Sequence, residues 1–194
     1  MSSLPENQFS AEDRRAMLAL ARDAIVTALE AKSLRHIGTE RVCFSLRRGV
    51  FVTLEVCGRL RGCIGVIEAY EPLRESIVHC AQSAAFRDPR FPPLHEKELH
   101  GLEIEISVLS ALFPINPVDV EIGKHGLLVS AAGTRGLLLP QVAAENHLSP
   151  EEFLDETCRK AGLPRSAWRE PGTSVFAFTC EVFREDSTLA SAQS

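Results

Sequence analysis

Apolar residues first settle into a helical rhythm. Met17, Ala21, Ile25 and Leu29 fall on one face, which predicts an amphipathic helix running to about Lys32. Ser10 is placed to cap its start, with Asp13 returning the hydrogen bond in a variant of the capping box. The rhythm then shortens to alternation. Residues 41–46 read as a short strand, and Arg47, Arg48 and Gly49 as a turn. Val52, Leu54 and Val56 then oppose Thr53 and Glu55 in a strand over 49–57, and a further strand over 59–67 follows Gly58. Glu71 and Pro72 open a second helix, with the proline suited to its first position and Leu73, Ile77, Ala81 and Ala84 on its apolar face. It stops near Arg87, before a loop over 88–93 whose prolines forbid regular structure.

Leu102, Ile104, Ile106 and Val108 alternate with Glu103, Glu105 and Ser107 in the cleanest strand of the chain. Residues 123–139 read as a hairpin, and Pro140 starts a short helix reaching about Asn146. Ser149, Pro150 and Glu152 give the next helix a cap, a first-turn proline and a capping-box acid, and Gly162 ends it. A last strand covers 174–183, and the tail from Glu185 is expected to fray. Strands come in adjacent pairs rather than alternating with helices, so the chain reads as α+β, with a mainly antiparallel sheet and packed helices. No low-complexity linker divides it. The expectation is a single domain over 1–194 with an ordered core of about 10–184, and the N-terminal helix with about 70–95 as a candidate smaller lobe.

Composition narrows the class. With 45% apolar and 24% charged residues the chain suits a globular protein. A net charge of −5, one Trp and one Tyr supply neither the basic footprint nor the stacking surface that nonspecific nucleic-acid binding needs. No run approaches the roughly 20 apolar residues of a membrane span, and the polar first residues hold no signal core. Those features predict a cytoplasmic chain with reduced thiols and no membrane partner. The six cysteines include no Cys-x-x-Cys pair, and the histidines lack ligand spacing, so no metal site is expected. Nucleotide-binding glycine loops are absent from the sequence, which leaves any cofactor unassigned.

The candidate chemistry centres on Leu60-Arg61-Gly62-Cys63-Ile64-Gly65. Glycine inside a strand is unfavourable unless the backbone bends or something approaches closely, and here two glycines flank a thiol. Uninterrupted alternation would put Arg59, Arg61, Cys63 and Gly65 on one face and Leu60, Gly62, Ile64 and Val66 on the other. Arg61 would then lie roughly 7 Å from Cys63 along the backbone, where a cation favours the reactive thiolate. The alternative is a small buried residue that only packs, the commoner fate of a free cysteine.

The same hexapeptide resembles the hallmark of the AMMECR-type domain family, whose bacterial and archaeal members are called AmmeMemoRadiSam system protein A. Residues 49–54, 88–94, 103–110 and 138–142 resemble further blocks of that family in the same order, from about Ala16 to Phe183. The resemblance implies an α+β fold with two unequal lobes around a cleft. It also implies association with a Memo-like protein and a radical S-adenosylmethionine protein in a modification system.

A cysteine nucleophile wants a base and a group that holds the base. His125, between Lys124 and Gly126 at a strand start, is the candidate proton acceptor, with a solvated hairpin histidine as the alternative. His36, His79, His95, His100 and His147 have no partner suggested by spacing. Gln141 and Glu145 share a helix face, where Gln141 could orient a substrate carbonyl and Glu145 could hold a histidine or a cation. Ordinary helix polarity explains both as well. The expected site is therefore Cys63, His125 and Glu145 as catalytic residues, with Arg61, Gly62, Gly65 and Gln141 binding substrate. Glu103 and Glu105 could pair as acids or face Arg59 and Arg61 across neighbouring strands, which would weaken the pull of Arg61 on the thiol. Two functions stay open: a thiol-bearing component of a modification system, or a non-catalytic binding or scaffolding module.

Overall fold

The computed structural model describes residues 9–30, 40–68 and 70–185. The expected helix end near Lys32, His36 and the tail beyond Glu185 lie outside these residues. Contacts divide the chain into two compact units, 1–108 with 181–194, and 109–180. Each carries one open four-stranded sheet with helices, so the fold is α+β.

In the first unit, helix α1 (Ala11–Leu29) begins with the anticipated capping box, Ser10 and Asp13 each satisfying the other's backbone N–H. Strands β1 (Val50–Val56) and β2 (Arg59–Val66) form a hairpin, and β1 also pairs antiparallel with β3 (Leu102–Leu109). Helix α2 (Leu73–Phe86) packs on β1, β2 and α1. Pro72 is its cap rather than its first residue, and the leading N–H, on Leu73, is satisfied by the Leu46 carbonyl. Met17, Leu20, Ile25, Val52, Leu54, Leu73, Ile77, Ile104 and Ile106 are fully buried in one cluster.

The second unit is built on β4 (Phe113–Pro114), β5 (Gly126–Ala131), β6 (Thr134–Leu138) and β7 (Ser174–Phe178), in the order β4-β7-β5-β6. Helices α3 (Pro140–Glu145) and α4 (Pro150–Lys160) cover it, the latter starting with the expected Ser149–Glu152 capping box. Leu127, Phe153, Leu154 and Ala177 form its centre.

Two expected strands are corrected. Residues 41–46 contain a 3-10 turn over Val42–Ser45, closed by the Phe44 N–H on the Arg41 carbonyl and the Leu46 N–H on the Cys43 carbonyl, which takes up backbone groups a strand would leave for a neighbour. The strand over 174–183 is two: β7 ends at Phe178, and β8 (Cys180–Arg184) joins the first sheet beyond β3. The break falls at Thr179, whose N–H donates to Ser110 Oγ while its carbonyl accepts the Ser110 N–H. Apolar periodicity runs through this break, so the sequence hides it.

Helix α2 comes close to the backbone of β2 at Gly62. A Cβ there would stand 2.1 Å from the Ala84 carbonyl oxygen, so α2 can seat on β2 only where a side chain is missing. Gly62→Ala is expected to lower unfolding stability by about 1–3 kcal/mol in a urea titration. A neutral or stabilising effect, the usual gain from stiffening the unfolded chain at an unconstrained glycine, would contradict this packing.

Candidate functional site

The hexapeptide occupies β2 at the end of the sheet order β2-β1-β3-β8. Val66, Ile64 and Gly62 stand opposite Val50, Val52 and Leu54, on the face that α2 covers. Gly65 and Cys63 stand opposite Phe51 and Thr53 on the other face. The register then slips: Glu55 pairs with Leu60, leaving Arg61 as the extra residue of a β-bulge. The single row of Arg59, Arg61, Cys63 and Gly65 expected from alternation is therefore broken. Leu60 shifts to the row of Cys63, and Arg61 sits at the bulge with its side chain directed to a different task.

That task is to hold the proline loop. Arg61 Nε and Nη2 grip the Glu98 carboxylate at 2.7 and 3.1 Å, while Nη1 and Nη2 donate to the carbonyls of Pro92 and Pro93. Its side chain is only 12% exposed. Glu98 is held below the usual carboxylate range, chiefly by the Arg61 hydrogen bonds, and also accepts the His95 N–H at the start of an unanticipated 3-10 turn over Glu96–Gly101. The carboxylate neutralising Arg61 is thus Glu98. Glu103 and Glu105 cannot meet β2, because β1 lies between, and Glu105 pairs instead with Arg184 at 2.8 Å. Gly65 has a packing reason of its own, since a Cβ there would collide with the Phe51 ring at 2.2 Å.

The outer edge of β2 is closed by two residues of the same loop. Cys63 N–H donates to Asp88 Oδ2 at 2.9 Å, and Arg90 Nη2 donates to the Cys63 carbonyl at 3.3 Å. Asp88 is 3% exposed and accepts from the backbone N–H, Nε and Nη2 of Arg90. The Arg90 guanidinium holds its carboxyl far below the usual range. In the sequence this segment reads as a rigid proline loop and as one block of the family resemblance, not as a part of the strand edge. The available signal was an acid and a base flanking a proline just past a helix end.

Cys63 itself is half-buried, and Thr53 Oγ1 donates to its sulfur at 3.3 Å. Other thiols are placed differently. Cys43 and Cys80 are buried and pushed up to about 11, chiefly by loss of hydration, and burial also raises Cys158. Cys57 is exposed in the β1–β2 turn.

The remaining expected site residues belong to the second unit. His125 is 7% exposed, lies edge-on to Phe113, and accepts the Glu121 N–H on Nδ1 at 3.1 Å. The neutral ring therefore carries its proton on Nε2. To take a proton from a thiol it would first have to give up the Glu121 bond. Glu145 is exposed at the last residue of α3, while Gln141 has a buried Oε1 with no hydrogen-bond partner among the described residues. A cavity of about 460 Å³ opens beside α3 and α4, lined by residues including Val142, Asn146 and Lys160, and by neither Gln141 nor Glu145. Among the described residues, no cluster of His, Cys, Asp or Glu could hold a metal, and no helix is long and apolar enough to cross a membrane.

Known proteins align along nearly the whole chain. The AMMECR1 family profile matches residues 18–183. A protein of Methanothermobacter thermautotrophicus is 44% identical over 91% of this chain and 96% of its own length. One from Aquifex aeolicus is 40% identical over 89% and 93%. The crystal structure of the uncharacterized protein PH0010 from Pyrococcus horikoshii superposes with a TM-score of 0.78 at 38% identity, covering 88% of this chain and 90% of that one.

Burial lowers the pKa of His125, so the folded ring binds a proton less tightly than the unfolded chain does. Stability is therefore expected to fall as the pH drops below about 6.5, the unperturbed value. Nitrogen-detected NMR should show an Nε2–H tautomer titrating below that pH. An Nδ1–H tautomer would contradict the geometry and free the ring to serve as a base.

Proposed function

This chain belongs to the AMMECR1 family, and from that footing we propose that it is the thiol-bearing component of a modification system, with Cys63 as the reacting atom. The partners in this reading are a Memo-like protein and a radical S-adenosylmethionine protein, and they follow from the resemblance, not from any surface of the molecule. The observation that carries the reading is the division of labour within the hexapeptide. Arg61 holds the loop, Gly62 admits α2, Ile64 packs against the core and Gly65 lies under Phe51. The half-buried sulfur of Cys63, accepting one hydrogen bond from Thr53, is committed to none of these packing roles. His125, Glu145 and Gln141 belong to the other unit and carry no part of this reading.

A second reading has its own support. The structural duties of Arg61, Gly62 and Gly65 suit a scaffold whose hallmark is a rigid junction, with the 88–93 loop as the surface offered to a partner. Residue-resolved alkylation separates the two. Cys57 serves as the internal reference because it is more exposed. On the thiol reading Cys63 is expected to react in the folded protein at least as fast as Cys57 despite its lower exposure, since reactivity follows environment as well as access. A Cys63 that stays inert up to about pH 9, near the range where an ordinary thiol ionises, would favour the scaffold.

A further inference from the structure

Strand β2 ends its sheet, so its outward backbone groups have no neighbouring strand to pair with. At Cys63 both outward groups are nevertheless satisfied. Asp88 takes the N–H and Arg90 supplies the carbonyl, the two hydrogen bonds that a fifth strand would provide. We propose that Asp88 and Arg90 are positioning residues that hold the Cys63 peptide from the sheet edge, fixing the direction of the thiol without a further strand along that edge. The proposal rests on Cys63 being the functional atom.

The bracket is closed on itself. Arg90 Nε meets Asp88 Oδ1 at 3.0 Å, Nη2 meets Oδ2 at 2.7 Å, and the Arg90 N–H returns to Oδ1 at 3.1 Å. Pro89 between them fixes one backbone angle and offers no competing N–H. The loop is anchored around the bracket as well. Phe91 N–H donates to the Asp88 carbonyl, Leu94 N–H to the Ala85 carbonyl at the end of α2, and Arg61 holds Pro92 and Pro93. Both guanidinium groups flank the Phe91 ring, at 5.4 Å for Arg90 and 6.0 Å for Arg61. The peptide at Cys63 is thus held by β1 on one edge, by the bracket on the other, and beneath its neighbour Gly62 by α2.

Asp88 is buried while the Arg90 side chain is about half exposed, so the costly loss is that of the cation beside the buried carboxylate, and Asp88 depends on Arg90. Asn at position 88 keeps an acceptor for the Cys63 N–H, whereas Ala removes it. The full-length wild type, Asp88→Asn and Asp88→Ala proteins would be compared by amide hydrogen exchange and by the Cys63:Cys57 alkylation ratio. In Asp88→Ala the Cys63 amide is expected to exchange at least ~10-fold faster, with Val52 and Ile106 amides unchanged, because the opening is local. The alkylation ratio should change with it, and Asp88→Asn should recover both in part. Unchanged exchange at Cys63, an equal rise at all three amides, or an unchanged alkylation ratio would overturn the proposal. If Asp88→Ala does not fold, Arg90→Gln carries the same comparisons. An inert Cys63 in the wild type, with its amide still responding to the substitution, would sink the thiol reading and with it the positioning role, leaving edge closure alone.

Discussion

The first unit depends on one close contact, the seating of α2 on β2 where Gly62 meets the Ala84 carbonyl. A side chain at that point would lift the helix from the strand and open the cluster around Leu54, Ile77 and Ile104. The contact also decides where the helix ends relative to the sheet edge. Because α2 stops at Phe86, the loop that follows emerges beside β2, and Asp88 reaches the Cys63 N–H without an intervening element. The position of the thiol is therefore set by backbone packing first and by charge second.

Charge in this region is consumed within the protein. Arg61 is matched by Glu98, Arg90 by Asp88, and Arg184 by Glu105, so these guanidinium groups, with Arg61 expected from the sequence to bind substrate, stabilise loops and strand edges instead. These pairs bridge segments far apart in the chain or grip backbone groups, so they act as connectors more than as exposed ion pairs, which contribute little. Burial renders the thiols of Cys43 and Cys80 hard to ionise, while Cys63 is half-buried with its sulfur accepting from the Thr53 hydroxyl.

Much of this architecture is legible in the sequence because its signals are local. The caps at Ser10 and Ser149 and the alternation from Leu102 to Leu109 each specify an element from residues a few positions apart. What stayed hidden depends on pairing between distant segments. Apolar alternation cannot reveal the change of sheet at Thr179, since Ser110 makes the break. Neither can it show the bulge at Arg61, which arises from register against β1 and moves the guanidinium out of the row of Cys63. The site was legible as the Gly-flanked thiol and not as its holder. Asp88 and Arg90 look like ordinary loop charges until the fold brings them to the strand edge, and the tautomer of His125 depends on a backbone N–H that spacing does not disclose.

The central claim is that Cys63 is placed by the surrounding packing without being part of it. Urea unfolding of the Cys63→Ser protein tests this most directly. A side chain that is held but not packed predicts a stability within about 1 kcal/mol of wild type, since the hydroxyl fits the same space beside Thr53. A loss of about 2 kcal/mol or more, the scale of a core truncation, would make Cys63 a packing residue and contradict the account.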